Sequence, residues 1–123
     1  MHMTHVSDAP AASAIGFDDI LAVDIRVGRI VSAEAAEGLR KPAYRMAIDF
    51  GATIGLRKST AQVTENYTPE ALVGRLVMAV VNFPPRQIGK AVSEVLTLGF
   101  PDETGAVVLC SPDRAVSLGS RLF

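Results

Sequence analysis

Thr68-Pro69-Glu70-Ala71-Leu72-Val73-Gly74, followed one residue later by Leu76-Val77-Met78-Ala79-Val80-Val81, decides the architecture. The first stretch reads as one complete short helix. Thr68 can cap it, Pro69 suits the first helical position, and Gly74 suits the stop. The second stretch is apolar on both faces for the length of one strand, which predicts a central strand. Asn82-Phe83-Pro84-Pro85-Arg86 cannot continue that pairing, because neither proline has an N–H to donate.

Upstream, Tyr44, Met46, Ile48 and Phe50 alternate with Arg45, Ala47 and Asp49, the pattern of a half-buried strand. Gly51 to Gly55 makes a turn into a third strand over 57–64. Ser59, Thr60 and Gln62 are too alike in polarity to say which of them face outward. A first strand runs from Val23 to Ala33, with Gly28 read as the site of a bulge, since a glycine inside a strand pattern commonly marks one. Phe17 to Ala22 reads as a short helix with acids at its favourable end. Downstream, a fifth strand spans about 93–99, Asp102-Glu103-Thr104-Gly105 is a turn, and Ala106 to Cys110 is a further apolar run. The tail from Ser111 has loop chemistry, yet Val116, Leu118, Leu122 and Phe123 need cover from the barrel or from a partner chain.

Three strands, a short helix and two more strands, with no crossover long enough for a parallel sheet, describe an all-β chain with short helices. The fitting class is a five-stranded Greek-key OB-fold barrel with terminal extensions. An immunoglobulin-like sandwich fits less well, wanting more strands and no helix in the middle. The 123 residues are enough for one core. Residues 1–15 are small and polar and read as a disordered lead-in, leaving 16–123 as a single domain.

Composition excludes several classes of function. No apolar run approaches the ~20 residues of a membrane span, and no secretory leader is apparent. The lone Cys110 rules out an internal disulfide and suits a reducing, cytoplasmic setting, where it serves as a small core hydrophobe. Both histidines, His2 and His5, lie in the lead-in, so the domain has no imidazole base for a Ser-His-Asp arrangement and no Cys-His cluster for zinc. Phosphate-loop and dinucleotide fingerprints are absent. Asp49 and Glu94 have the chemistry of a carboxylate pair, but such groups are usually surface residues. The expectation is a protein that is not an enzyme and needs no cofactor. Asn66-Tyr67-Thr68 matches the glycosylation sequon by chance.

Charge is unevenly placed. Residues 1–25 hold four acids and no bases, 26–90 hold ten bases against five acids, and 91–123 hold two bases against four acids. A basic middle suggests a local site for anionic or polar partners. OB-folds bind on the face of strands two and three, between the loops joining strands 1–2 and 4–5. That rule gathers Arg40, Lys41, Arg45, Arg57, Lys58, Arg86 and Lys90 around one face. Phe83, in a loop stiffened by prolines, either offers an apolar or stacking surface beside them or sits in the core as part of a rigid connector. Bases beside an aromatic suit single-stranded nucleic acid, and they equally suit an extended peptide. Arg57, Lys58, Asn82, Phe83, Arg86 and Glu94 are the candidate contact residues, Asn82 having both a donor and an acceptor for a peptide backbone.

Asp24-Ile25-Arg26-Val27-Gly28-Arg29-Ile30, Ala47-Ile48-Asp49-Phe50-Gly51, Val80 to Arg86, Ser93-Glu94-Val95-Leu96 and Ser111-Pro112-Asp113-Arg114 together resemble CsaA, a family of bacterial export-related chaperones within the wider family of tRNA-binding OB domains. The resemblance covers residues 17–123. It implies a homodimer formed through the terminal elements, and a chaperone that binds unfolded or pre-export polypeptide segments without ATP. Where tRNA-binding relatives carry serine and then a glycine–methionine pair, this chain has Ser93-Glu94-Val95-Leu96. An acid there would repel phosphate and suit a peptide or a neighbouring arginine, so tRNA is the alternative partner.

Overall fold

The computed structural model describes residues 7–123; His2, His5 and the first part of the expected lead-in lie outside the described residues. The elements are α1 (Phe17–Leu21), β1 (Ile25–Ala35), β2 (Tyr44–Asp49), β3 (Leu56–Ala61), α2 (Pro69–Leu72), β4 (Leu76–Val80), β5 (Arg86–Ile88), β6 (Ala91–Ser93), β7 (Leu96–Thr97), β8 (Gly99–Pro101) and β9 (Val107–Leu109). Five strands form one antiparallel sheet in the order β3-β2-β1-β4-β7. It curls into the nearly closed barrel of the OB class.

β1 makes the barrel possible because its two halves pair with different neighbours. Ile25 to Arg29 pair with β4, and Arg29 to Ala35 pair with β2. The bend between them needs a bulge, and the register slips between Ile30 and Ser32. The extra residue is therefore Val31, which is half exposed, and not Gly28 as expected. Gly28 is a glycine for a different reason. A Cβ there would lie 2.5 Å from Ile48 Cγ2 and 2.8 Å from the Phe50 ring.

The alternation in β2 puts Met46 and Ile48, and then Phe50, fully inside, where they meet Ile30, Val77, Ala79, Val95 and Leu109. Leu72 of α2 plugs the barrel and is completely buried. The helix is as its sequence requires. Thr68 Oγ1 accepts from the Ala71 N–H, Pro69 opens the first turn, and Gly74 stands at φ +92°. Gly74 N–H then donates to the Ile30 carbonyl, and Ile30 N–H to the Arg75 carbonyl, so the helix end is fastened to the bulged part of β1.

The expected fifth strand over 93–99 is instead broken into β6, β7 and the start of β8. β6 turns back on β5 through Gly89-Lys90, with Arg86 opposite Ser93 and Ile88 opposite Ala91. Residues 86–88 were expected in a loop. They form a hairpin strand because Gly89, at φ +58°, satisfies a two-residue turn. The barrel closes between β3 and this bent segment. Glu94 N–H donates to the Lys58 carbonyl at 2.8 Å, Lys58 N–H donates to Glu94 Oε1 at 2.9 Å, and Ser59 and Thr97 share a hydroxyl bond at 2.7 Å.

The tail is more ordered than its loop chemistry suggests. Gly119 N–H donates to the Val27 carbonyl, Val27 N–H to the Ser120 carbonyl, and Leu122 N–H to the Ile25 carbonyl. It thus takes the edge of β1 that β2 leaves free. Its backbone is on the barrel while Val116, Leu122 and Phe123 remain exposed. No helix among the described residues is long and apolar enough to cross a membrane.

Two outcomes follow. Gly28→Ala forces Ile48 and Phe50 aside and should lower stability by about 1–3 kcal/mol, read as a lower urea midpoint at unchanged slope. Asp102 holds the β8–β9 turn by accepting from the Asn66 side chain and from Thr104 and Ala106, and these bonds, Asn66 first, lower its pKa to about 2. A carboxylate held below its unfolded pKa stabilises the fold above that value and loses its effect as pH falls through the folded one. The melting-temperature gap between wild type and Asp102→Asn should therefore be full at neutral pH and close between about pH 4 and pH 2.

Candidate ligand-binding face

Register settles which residues of β3 look outward. Ser59 stands opposite Met46 and is buried with it, so Lys58, opposite Ala47, lies on the outer face, while Thr60, opposite Arg45, is buried against Ser93. Arg57 lies on the inner side near the barrel end, and its Nε donates to the Ile54 carbonyl at 3.3 Å. The outer face therefore offers Lys58 and Arg45 over a floor of small residues.

Not all seven gathered cations are available. Arg45 binds the Glu34 carboxylate at 2.7 Å, an exposed pair whose contribution is about 0.2–1 kcal/mol. Arg40, Lys41, Lys58, Arg86 and Lys90 make no ion pair among the described residues. The structure brings their loops together. A Cβ on Gly89 would lie 2.5 Å from Leu39 Cδ2, so the β5–β6 tip touches the loop that holds Arg40 and Lys41. Arg86 sits across from Ser93, next to Glu94 and hence beside Lys58. The result is a cationic rim running from the loop between β1 and β2, along the hairpin, to the middle of β3.

The other candidates have different duties. Glu94 Oε1 is bonded to the Lys58 N–H, so this acid is part of the closure. Asp49 Oδ1 accepts from Gly51 N–H, which separates it from Glu94 in role and leaves no carboxylate pair. Asn82 accepts from the Asp24 N–H at 3.0 Å and donates to the Ala22 carbonyl at 2.9 Å, joining the β4–β5 loop to the end of α1. Phe83 is 51% exposed, which overturns the core alternative and makes it a surface aromatic. It lies in the β4–β5 loop directly after Asn82, and β5 separates it from Lys90.

Sequence reading missed the ion-pair network beneath that junction. Arg26 binds the Asp24 carboxylate at 2.6 Å, and Arg121 approaches the same carboxylate at 3.4 Å. The alternation of Asp24, Ile25, Arg26 and Val27 hinted at the first contact, but nothing local points to residue 121. Burial pushes the Cys110 thiol pKa up, in keeping with a packing role. Among the described residues no three His, Cys, Asp or Glu side chains come together as metal ligands. A cleft of about 320 Å³ lined by Lys41, Gln62, Thr64, Glu65 and Val107 is at the small end for an enclosed organic ligand.

Over residues 25–121 the chain matches the family model described as "Putative tRNA binding domain". It belongs to that family. This tRNA-binding-type domain is 36% identical over 121 residues to the methionine–tRNA ligase of Thiobacillus denitrificans, covering 94% of the chain and 17% of the ligase. With the ligase of Porphyromonas gingivalis it shares 35% identity over 114 residues, 93% of the chain and 16% of that protein. The chain thus spans about a sixth of the length of these relatives. Among solved structures it is similar to the chaperone CsaA of Bacillus anthracis, at 41% identity and a TM-score of 0.85, covering 90% of this chain and all of that one. The CsaA chaperone protein of Picrophilus torridus gives 41% and 0.84, covering 89% of this chain and all of its own. These matches bear out the resemblance to CsaA chaperones.

The division between framework and rim is testable by stability alone. Glu94→Ala removes a seam bond and should cost roughly 1 kcal/mol in urea unfolding. Arg86→Ala should stay within about 0.5 kcal/mol of wild type.

Proposed function

We propose that the domain is a CsaA-type chaperone. It is a non-enzymatic, cytoplasmic homodimer that holds unfolded or pre-export polypeptide segments across the outer face of β2 and β3. The observation that carries this reading is the pairing of a rim of unpaired cations with an exposed aromatic, Phe83, on a loop that leads directly into that rim. An extended peptide uses both: carboxylates and carbonyls bind the cations, and apolar side chains cover the ring. Similarity at 41% identity over the whole length of two CsaA chaperones supports it. The dimer draws support from apolar side chains that the described residues leave uncovered. Ile15, Phe17, Ile20 and Leu21 around α1, with Leu122 and Phe123 of the tail, are all exposed. Lys58, Phe83 and Arg86 are the contact residues of this reading, while Arg57, Asn82 and Glu94 support them from behind.

A second reading, tRNA binding, is favoured by one observation in particular. Five cations on one rim, without ion-pair partners among the described residues, would provide several phosphate contacts, and the family and the ligase relatives support the same ligand.

Anisotropy titrations at low and at physiological salt separate the two, with a labelled unstructured peptide in one series and a labelled tRNA in the other. The chaperone reading expects peptide binding that survives physiological salt and is weakened about tenfold by Phe83→Ala and by Arg86→Ala. Unchanged peptide affinity in both variants would remove the assigned site. Tight tRNA binding whose salt slope falls by about one for each of Lys58→Ala and Arg86→Ala, with no peptide binding, would give the face to RNA.

A further inference from the structure

Resting on the dimer and the ligand face proposed above, we infer that Asn82 is a positioning residue that couples the two, so that self-association and ligand binding strengthen each other. Its side chain joins elements with separate duties. Oδ1 accepts from Asp24 N–H and Nδ2 donates to the carbonyl of Ala22, the residue that ends α1. On the other side Asn82 leads straight into Phe83, Pro84, Pro85 and Arg86.

α1 depends on this bond more than a helix normally does. None of its residues is buried, so it has no core contact to fix it. Besides the Asn82 bonds, the side-chain bond that holds α1 to the rest of the described residues is Arg121 Nη2 to the Leu21 carbonyl at 2.7 Å. Arg121 is also the residue before Leu122 and Phe123, and it approaches Asp24. Among the described residues the apolar surface of α1 and the tail therefore has two side-chain anchors at one junction, and one of them begins the loop that presents Phe83 and Arg86.

The chemistry of the position is specific. One side chain must donate to a carbonyl and accept from an N–H at once, which a neutral amide does and an aspartate or an aliphatic residue does not. Two prolines follow, and their fixed φ narrows the conformations open to Phe83 to Arg86, so the position of Asn82 limits where Arg86 can stand. A second copy that covers α1 orders it, ordered α1 holds Asn82, and held Asn82 fixes the contact loop. Thermodynamic reciprocity makes the effect run equally from ligand to dimer.

The test uses the full chain as wild type, Asn82→Ala, Asn82→Asp, a patch variant carrying Phe17→Ser and Leu122→Ser, and the patch variant combined with Asn82→Ala. Sedimentation velocity gives the dimer Kd, and anisotropy gives the Kd for a labelled unstructured peptide and for a labelled tRNA. Coupling expects Asn82→Ala to raise both the dimer Kd and the ligand Kd about tenfold. It also expects the monomeric patch variant to bind its probe about tenfold more weakly than wild type, and to lose nothing more when Asn82→Ala is added. Asn82→Asp, which keeps only the acceptor, should fall between, and it serves as the comparison if Asn82→Ala fails to fold. A wild-type dimer in which Asn82 and patch effects simply add, or in which Asn82→Ala moves one Kd and not the other, overturns the coupling and leaves the functional reading intact. A wild-type chain that stays monomeric, or that binds neither probe, overturns both.

Discussion

Closing the barrel is the constraint on which the rest depends, and it is met without a regular ladder. Between β3 and the bent segment from Ser93 to Thr97, strand pairing is replaced by the Lys58–Glu94 exchange, a bond from Thr60 N–H to Ser93 Oγ, and the Ser59–Thr97 hydroxyl pair. An open edge here would leave β3 ready to pair with other chains and would let water reach Met46 and Ile48. Because side chains make most of the seam beside one backbone bond, it accepts a kink that a continuous strand would resist. That kink frees residues 86–93 to fold back as a hairpin beside β3, and the hairpin carries the cations that complete the rim.

Charge is divided by duty in a way composition alone conceals. Asp24 is consumed by Arg26 and Arg121, and Glu34 by Arg45. Asp24 thus serves the junction of α1 and the tail and Glu34 the β1–β2 pairing, while five loop and strand cations make no ion pair among the described residues. The half-buried Asp24 network is a fixed part of the scaffold, and the exposed rim is where added salt screens charge most.

Much of this was legible in the sequence where a local rule applies. The α2 segment carried its cap, its proline and its glycine stop, and β2 its alternation, so the barrel class followed. Gly28 misled because a glycine in a strand signals either a bulge or crowding, and only the positions of Ile48 and Phe50 tell which. The break at Glu94 was hidden for a similar reason. Ser93-Glu94-Val95-Leu96 alternates well enough for a strand, and the bond that bends it comes from Lys58, far away in the chain. The Gly89-Lys90 turn, in contrast, carried a readable hairpin signal between Arg86-Gln87-Ile88 and Ala91-Val92-Ser93. For the site, the set of cations was recoverable from their numbers and loops. Asn82 was read as a ligand contact because its side chain has the right chemistry for one, and that same chemistry is spent on Ala22 and Asp24.

The pairing of the tail with β1 has one more consequence. Leu122 N–H meets the Ile25 carbonyl, so the chain leaves the barrel beside the point at which it came in. A barrel whose entry strand and exit segment lie side by side can be spliced into a surface loop of a host protein, or cut and rejoined elsewhere, with little distortion of either partner. Such a unit is portable: its barrel and rim travel together, and only the junction at Asp24 has to adapt to each new neighbour.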